Sequence, residues 1–459
     1  MTSSPKVVIV GAGSLFFGRK AIWQMVHSPH LRTGTLALVD TDPVHLDKMK
    51  RLAEQVIAQN KSPLKLMAST DRRQVLKDAD FVVLCFAVNN AHYRGIDCEI
   101  SATFGIRMCS GDTIGPGGLF RAMRELPEIL RTAKDIQELA PKAWVINYIN
   151  PTTVMGMALR RHAPGLKTLA LCDAQWHLRK DYLRIAGILG EKDPITPEID
   201  KDLVLLSSGV NHFTWLLRAE YQGRDIIPAI AAGIARKAER ELNPEENDPA
   251  YKGSKGHLNS AIQYELYEAF GAFPTVIGHT KEYVRFYQGH HTQPSRIAPL
   301  MLFDAKARTQ WTDSVWKRVD DYLSGAAPIA EFDTEFGPDP ATDLIEGMWG
   351  NLGKQFFINT ANHGAVPNLA DDAFIELYSD VDMNGPRPLP CPPLPRGIRG
   401  LSEQVLDTHE LTVEAIVTRD RRLLRRALLT DPLTPSIADA DGVIEALLAA
   451  EKEQLPDWH

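Results

Sequence analysis

Two short segments of this 459-residue chain place metal-capable side chains at the ends of apolar runs. Cys172-Asp173 closes residues 167–171 (KTLAL), and Asn211-His212 follows the apolar stretch 203–206 through Gly209-Val210. One thiolate and one imidazole are half of a divalent-metal site. They are too few for a closed structural zinc, which takes four protein ligands, but enough for a catalytic Mn²⁺-like ion completed by substrate oxygens and water. The competing reading is a buried cysteine and a satisfied or capping histidine, which these residue types adopt more often. Asp173 is a candidate general acid if burial or a neighbouring charge raises its pKa, and otherwise a solvated carboxylate or cap.

Three further segments carry usable chemistry. His279-Thr280-Lys281-Glu282-Tyr283-Val284-Arg285 sets an imidazole, a carboxylate, a phenol and a guanidinium close together, fit for a sugar-like ligand or for a solvated helix face. Residues 111–124 (GDTIGPGGLFRAMR) combine four glycines, one carboxylate and two arginines ahead of a helix, which allows close backbone approach to a ligand. A structural Ω-loop would have the same composition. Residues 89–94 (NNAHYR) supply Arg94, either a surface arginine or a partner for an anionic group.

The elements that must position these residues begin with Lys6–Val10 (KVVIV), a β-branched strand ending at Gly11-Ala12-Gly13-Ser14, with a helix expected over 15–27. Gly11 and Gly13 match G-x-G-x-x-G; Phe16 takes the third glycine position and the next glycine is Gly18. Asp40 closes the second strand, Thr35–Val39, where a carboxylate hydrogen-bonds a ribose 2′-hydroxyl and repels a 2′-phosphate. The cofactor expected is therefore NAD, with its pyrophosphate on the amides of Gly11, Gly13 and Ser14.

Further strands are expected at 80–87, almost wholly apolar as a doubly buried strand should be, at 143–148 (AWVINY) running into Asn150-Pro151, and at 167–171. Alternation with helices implies a parallel sheet whose carboxyl ends face one crevice. Beyond about residue 190 the alternation gives way to long helical patterns, clearest at 414–429, and to a Pro/Gly-rich surface loop at 384–400. The fold class read here is α/β: an N-terminal Rossmann-type parallel sheet (1–190, NAD) and a C-terminal α+β domain (191–459, substrate, metal and oligomerisation). Lactate and malate dehydrogenases share that layout.

A net charge of -7 gives no general attraction to phosphate backbones or anionic lipid, so neither nucleic acid nor membrane is an expected partner. Five dispersed cysteines (Cys85, Cys98, Cys109, Cys172, Cys391) argue against a disulfide framework. The opening MTSSPKVVIVGAG passes straight into the glycine turn with no secretion-signal pattern, and a cytoplasmic location is expected.

Taken in order, VVIVGAGS, GDTIGPGGLFRA, NYINPTT, LCD, GVNH, FGAFPTVIGHTKEYVRFY and VPNLADDAFIELYSDVDMNG resemble glycoside hydrolase family 4, the NAD- and metal-dependent glycosidases, over most of the chain. The resemblance implies Cys172 and His212 as ligands of a divalent metal, Mn²⁺ by preference. It implies Asn150 as a contact to sugar and cofactor, with Asn211 and Arg285 as further substrate contacts. Tyr283 aligns with the family's catalytic base and Asp173 with its general acid, although members acting on unphosphorylated sugars often carry histidine there.

The mechanism so implied is a redox-assisted elimination. Hydride leaves C3 of the sugar for NAD⁺, Tyr283 removes the acidified C2 proton, and Asp173 protonates the departing oxygen. Water then adds at C1 and the hydride returns, so the net reaction is hydrolysis. The substrate implied is a small glycoside, an unphosphorylated or C6-anionic α-hexoside, and the assembly a homodimer or homotetramer. Two other readings stand beside this one: a net NAD-dependent 2-hydroxy-acid dehydrogenase on the same Rossmann half, and a non-catalytic NAD or sugar sensor, which the aspartate at 173 keeps open.

Overall fold

The computed structural model describes residues 4–14, 17–245 and 256–458. Its centre is one mixed sheet, 13-stranded among the described residues: β1 (Lys6–Val10), β2 (Thr35–Val39), β3 (Lys65–Ser69), β4 (Phe81–Leu84), β5 (Trp144–Asn147), β6 (Lys167–Ala170), β7 (Leu203–Val210), β8 (Phe213–Tyr221), β9 (Arg224–Asp225), β10 (Phe273–Pro274), β11 (Gln355–Ala361), β12 (Phe374–Asp382) and β13 (Gly385–Pro388). The parallel half runs β3-β2-β1-β4-β5-β6, the doubly wound Rossmann order, with its topological switch between β1 and β4. From β6 the sheet continues antiparallel through β11, β12, β7 and β8 to β10.

Helices cover both faces of the parallel half, which explains why its central strands are buried along nearly their whole length. The Gly18–His27, Pro43–Gln59, Ala305–Ser324 and Pro340–Gly350 helices pack their apolar residues on one face with Val7, Ile9 and Val83. Gly115–Leu139, Thr152–His162 and Arg396–Thr418 cover the other with Val8, Val82 and Val145. Among the described residues no helix is long and apolar enough to cross a membrane.

β1 and β2 form over the expected residues. The expected strands at 80–87, 143–148 and 167–171 are each shorter: the Cys85, Tyr148 and Leu171 amides make interstrand bonds just past the strand ends, to the Val10, Leu84 and Asn147 carbonyls at 2.9, 2.8 and 2.9 Å, where the chain reaches the cavity. The first helix begins at Gly18, and Leu15 and Phe16, including the third glycine position, lie outside the described residues. Two expectations in the C-terminal half are corrected. The segment 384–400 is not all loop, since Gly385–Pro388 pairs with β12 and residues from Arg396 start a helix. The helical pattern at 414–429 is broken: Arg419 takes a left-handed φ of 54° and Asp420 caps a new helix, Arg421–Thr430, by accepting from the Arg422 amide at 2.8 Å.

Candidate active site

The glycine turn packs against the end of β4. Gly11 adopts φ 97°, and a Cβ there would lie 2.5 Å from the Phe86 amide nitrogen, so only glycine fits. The Gly13 amide donates to Asp40 Oδ2 at 2.7 Å, and Oδ1 accepts from the Asp42 amide at 3.0 Å. Asp40 is thus held beside the turn with lone pairs left for a hydroxyl. Ser14 lines a cavity of about 230 Å³ whose other walls come from the ends of β4, β5 and β6 and from the β7–β8 turn.

That cavity brings Asn150, Cys172, Asp173 and His212 together. Cys172 and Asp173 follow β6 directly. His212 comes from the tight turn joining β7 to β8, with φ 65°; a Cβ on Gly209 in the same hairpin would lie 2.3 Å from the Phe213 carbonyl oxygen. β7 is carried to this place by pairing with β12, Gly209 opposite Glu376. Cys172 Sγ and His212 Nε2 are 2.9 Å apart.

Burial, with the neighbouring His279, holds the His212 imidazole well below its ordinary pKa and therefore neutral. His212 Nδ1 is buried without a hydrogen-bond partner, and the ring stacks on His279 with centroids 4.0 Å apart. Burial, then Glu376 and Asp173, push the Cys172 thiol well up. A neutral imidazole whose Nε2 lies 2.9 Å from a thiol that needs a cation in order to ionise forms a donor pair that fits a divalent metal. Asp112, His279 and Glu282 also hold donor atoms within 4.8 Å of one another. A cation there would face two guanidiniums, because Asp112 pairs with Arg121 at 3.1 Å and Arg94 at 3.4 Å. Glu282 is occupied by the amides of Ser110 and Gly111 at 2.7 and 3.2 Å.

The opposite end of the cavity is cationic. Arg94, Arg121 and Arg308 all line it. Burial opposes the ionised form of Asp112, but Arg94 and Arg121 outweigh it and hold the carboxyl well below the usual range. Arg308 is held below its ordinary value by burial and by repulsion from Arg94. Asn150 joins the two ends: its Nδ2 donates to Asp112 Oδ2 at 3.1 Å, and its Oδ1 accepts from Thr152 at 2.8 Å.

Of the expected cofactor residues only Ser14 and Asn150 line the cavity, and Gly11, Gly13 and Asp40 lie at the turn beside it. Three expected catalytic or substrate residues also lie elsewhere than its wall. Asn211 is buried behind Cys172, with Nδ2 donating to Glu376 at 3.3 Å. The Tyr283 hydroxyl is buried and donates to the Asn211 carbonyl at 3.1 Å, its ring stacked on Phe213. Arg285 is exposed, because the chain extends at Val284 and enters the short Arg285–Tyr287 turn. The arginines that reach the cavity are Arg94 and Arg121, whose segments the sequence marks, and Arg308, for which no local signal exists. Glu376, buried beside Cys172, is equally silent in sequence.

The family model described as family 4 glycosyl hydrolase matches residues 6–188, and that of the family's C-terminal domain matches residues 207–434. The chain belongs to this family. Its relatives include an alpha-galactosidase of Bacillus subtilis, 27% identical over 463 residues and covering 99% of each chain. An alpha-galacturonidase of the same organism is 25% identical over 445 residues, 96% of each. A 6-phospho-alpha-glucosidase from gut microorganisms, crystallised with NAD and Mn²⁺, superposes with a TM-score of 0.80 at 22% identity over 99% of each chain. Family membership makes the protein a glycoside hydrolase and sets aside the net-dehydrogenase reading.

Proposed function

We propose that this enzyme cleaves a hexoside bearing an anionic group at C6, using NAD⁺ and a divalent metal. The observation that carries the reading is the meeting, in one cavity, of the glycine turn at Ser14, the Cys172–His212 pair 2.9 Å apart, Asp173, and a three-arginine wall. The relative solved with NAD and Mn²⁺ and the relative named for galacturonides support it. When bound, NAD⁺ supplies a hydride acceptor for C3 and the ion an electrophile for the C2 and C3 oxygens.

The protein's own groups do the rest. Amides of Gly11, Gly13 and Ser14 bind the pyrophosphate, Asp40 accepts from the ribose, and Asn150 orients sugar against nicotinamide. Cys172 and His212 hold the ion, with Asn211 and Glu376 packed behind them. Asp173, exposed in the unliganded protein, would protonate the departing oxygen once bound substrate covers it. Tyr283 takes the C2 proton in the family's mechanism, and here its hydroxyl must turn from the Asn211 carbonyl to do so; His279, on the cavity wall, is the competing base. Arg308 and its neighbours bind the C6 anion.

Purified protein with NAD⁺, Mn²⁺ and matched hexosides in D₂O tests this. Expected are hydrolysis, deuterium at C2 of the released sugar, and at least about a tenfold preference for a uronide or 6-phosphate over the neutral hexoside, lost in Arg308→Gln. Loss of exchange in Tyr283→Phe assigns the base to Tyr283; its loss only in His279→Asn assigns it to His279. Cys172→Ser abolishes Mn²⁺ activation. Accumulating NADH, or hydrolysis without C2 exchange and without anion preference, overturns the proposal.

A further inference from the structure

A second cavity, of about 490 Å³, opens on the other side of Asp173, which lines both. Its walls include two aromatic rings, Trp176 and Phe336, with Lys20, His177 and Glu335 as polar groups beside Asp173. Its volume falls within the range of about 300–1,000 Å³ typical of small-molecule sites, and aromatic walls with a few polar groups are the usual composition of such sites.

Both rings are held from behind. Trp176 lies parallel to Phe356, 12° between planes at 6.3 Å, and Phe336 packs on Phe332 at 4.8 Å with the Arg19 guanidinium 5.0 Å from its centroid. Trp176 is also tied to Asp173 by a tight turn, its amide donating to the Asp173 carbonyl at 3.0 Å. The turn thus fixes the backbone of Trp176 against that of the proton donor.

We propose that this cavity is the leaving-group site, and that Trp176 and Phe336 select a cyclic leaving group with an apolar face, a second sugar ring or an aryl group. The inference rests on Asp173 as the proton donor of the preceding section. A bond cleaved at Asp173 has its glycone on the Cys172 side, so its leaving group extends across the carboxylate into the second cavity. A pyranose presents axial C–H groups on its faces and hydroxyls at its edge. The aromatic rings meet the face, and Lys20 and His177 are placed for the edge.

The test compares a methyl glycoside, a phenyl glycoside and a disaccharide of the same glycone. Trp176→Ala is expected to lower kcat/KM about 10- to 100-fold for the ring-bearing substrate that belongs there, to leave the methyl glycoside within about twofold, and to be partly rescued by Trp176→Phe. A loss on the disaccharide alone identifies a sugar leaving group; a loss on both ring substrates identifies any flat ring. An equal loss on all three substrates, or no loss on any, overturns the proposal. Calorimetric titration of the disaccharide into Asp173→Asn protein reads the site without turnover, separating this inference from the catalytic one. Affinity at least about tenfold weaker on adding Trp176→Ala supports it, and unchanged affinity, or no binding at all, overturns it even if the wild-type enzyme proves inactive.

Discussion

Asp112→Asn isolates the charge logic of the cavity. The carboxylate is 5% exposed, accepts from Arg121 at 3.1 Å, Ser110 Oγ at 2.7 Å and Asn150 Nδ2 at 3.1 Å, and is ion-paired with Arg94 at 3.4 Å. The amide keeps the shape, removes the charge, and points two N–H groups at neighbours that are themselves donors. Two lost bonds to guanidinium, at about 1.5–3 kcal/mol each, give roughly the same figure as breaking a buried ion pair, about 3–5 kcal/mol. Denaturant unfolding of the unliganded protein at pH 7 should show that loss as a shift in midpoint. Because the folded-state pKa of Asp112 is depressed, its stabilisation is present above about pH 4 and disappears as pH falls further, so the gap to the variant closes in acid. The variant should also bind inorganic phosphate more tightly than wild type, since two buried guanidiniums have lost their counter-charge. A loss below about 1 kcal/mol with unchanged phosphate affinity would refute the claim that Asp112 neutralises the arginine wall.

Two other substitutions have defined outcomes. Gly11→Ala forces a Cβ to 2.5 Å from the Phe86 nitrogen at φ 97°, and should weaken NAD⁺ binding by at least about tenfold with about 1–3 kcal/mol of destabilisation; titration calorimetry and thermal unfolding check it. Asp339, 1% exposed with Oδ1 unpartnered, has its carboxyl pushed up to about 7 by burial. The folded state then binds the proton more tightly than the unfolded chain, so this residue lowers stability as pH rises from about 4 to about 7. Asp339→Asn, still a competent cap for the Pro340–Gly350 helix, should gain up to about 4 kcal/mol at pH 8 and nothing at pH 4, read from unfolding midpoints across that range.

How much was legible follows from where each signal is encoded. β1 and β2 declare themselves because strands buried on both faces need uninterrupted β-branched and apolar residues. β3 (KLMAS) went unread because it is a half-exposed edge strand whose pairing with β2 supplies what its composition lacks. Cys172, Asp173, Asn150 and His212 stand out in the sequence because each closely follows a strand, where open sheets expose their chemistry, and the structure brings all four to one cavity. Arg285 misled because nearness in sequence to His279 and Glu282 is not nearness in space once the chain turns outward at Val284. Arg308 and Glu376 carry no local mark: one is in the first turn of a helix otherwise typical of a surface, the other sits in a β-strand, and only tertiary packing brings Arg308 to the cavity and Glu376 behind Cys172.

The two ends of the cavity also constrain how a sugar lies in it. Asp112 and His279 hold donor atoms within 4.8 Å of each other, and His279 stacks on His212 at 4.0 Å, so His279 lies between the arginine-paired carboxylate and the Cys172–His212 pair. In a pyranose, C6 hangs from C5, across the ring from C2 and C3. Under the proposed function, a hexoside whose C6 anion meets the arginines would present its C2 and C3 oxygens to the Cys172–His212 end, and reversing it would take the anion away from all three guanidiniums. The orientation that the proposed elimination would need is thus the one that the arginine wall favours. An uncharged C6 forfeits that electrostatic discrimination, which is why the anion preference, and its dependence on Arg308, is the sharpest discriminator among the substrates this family offers.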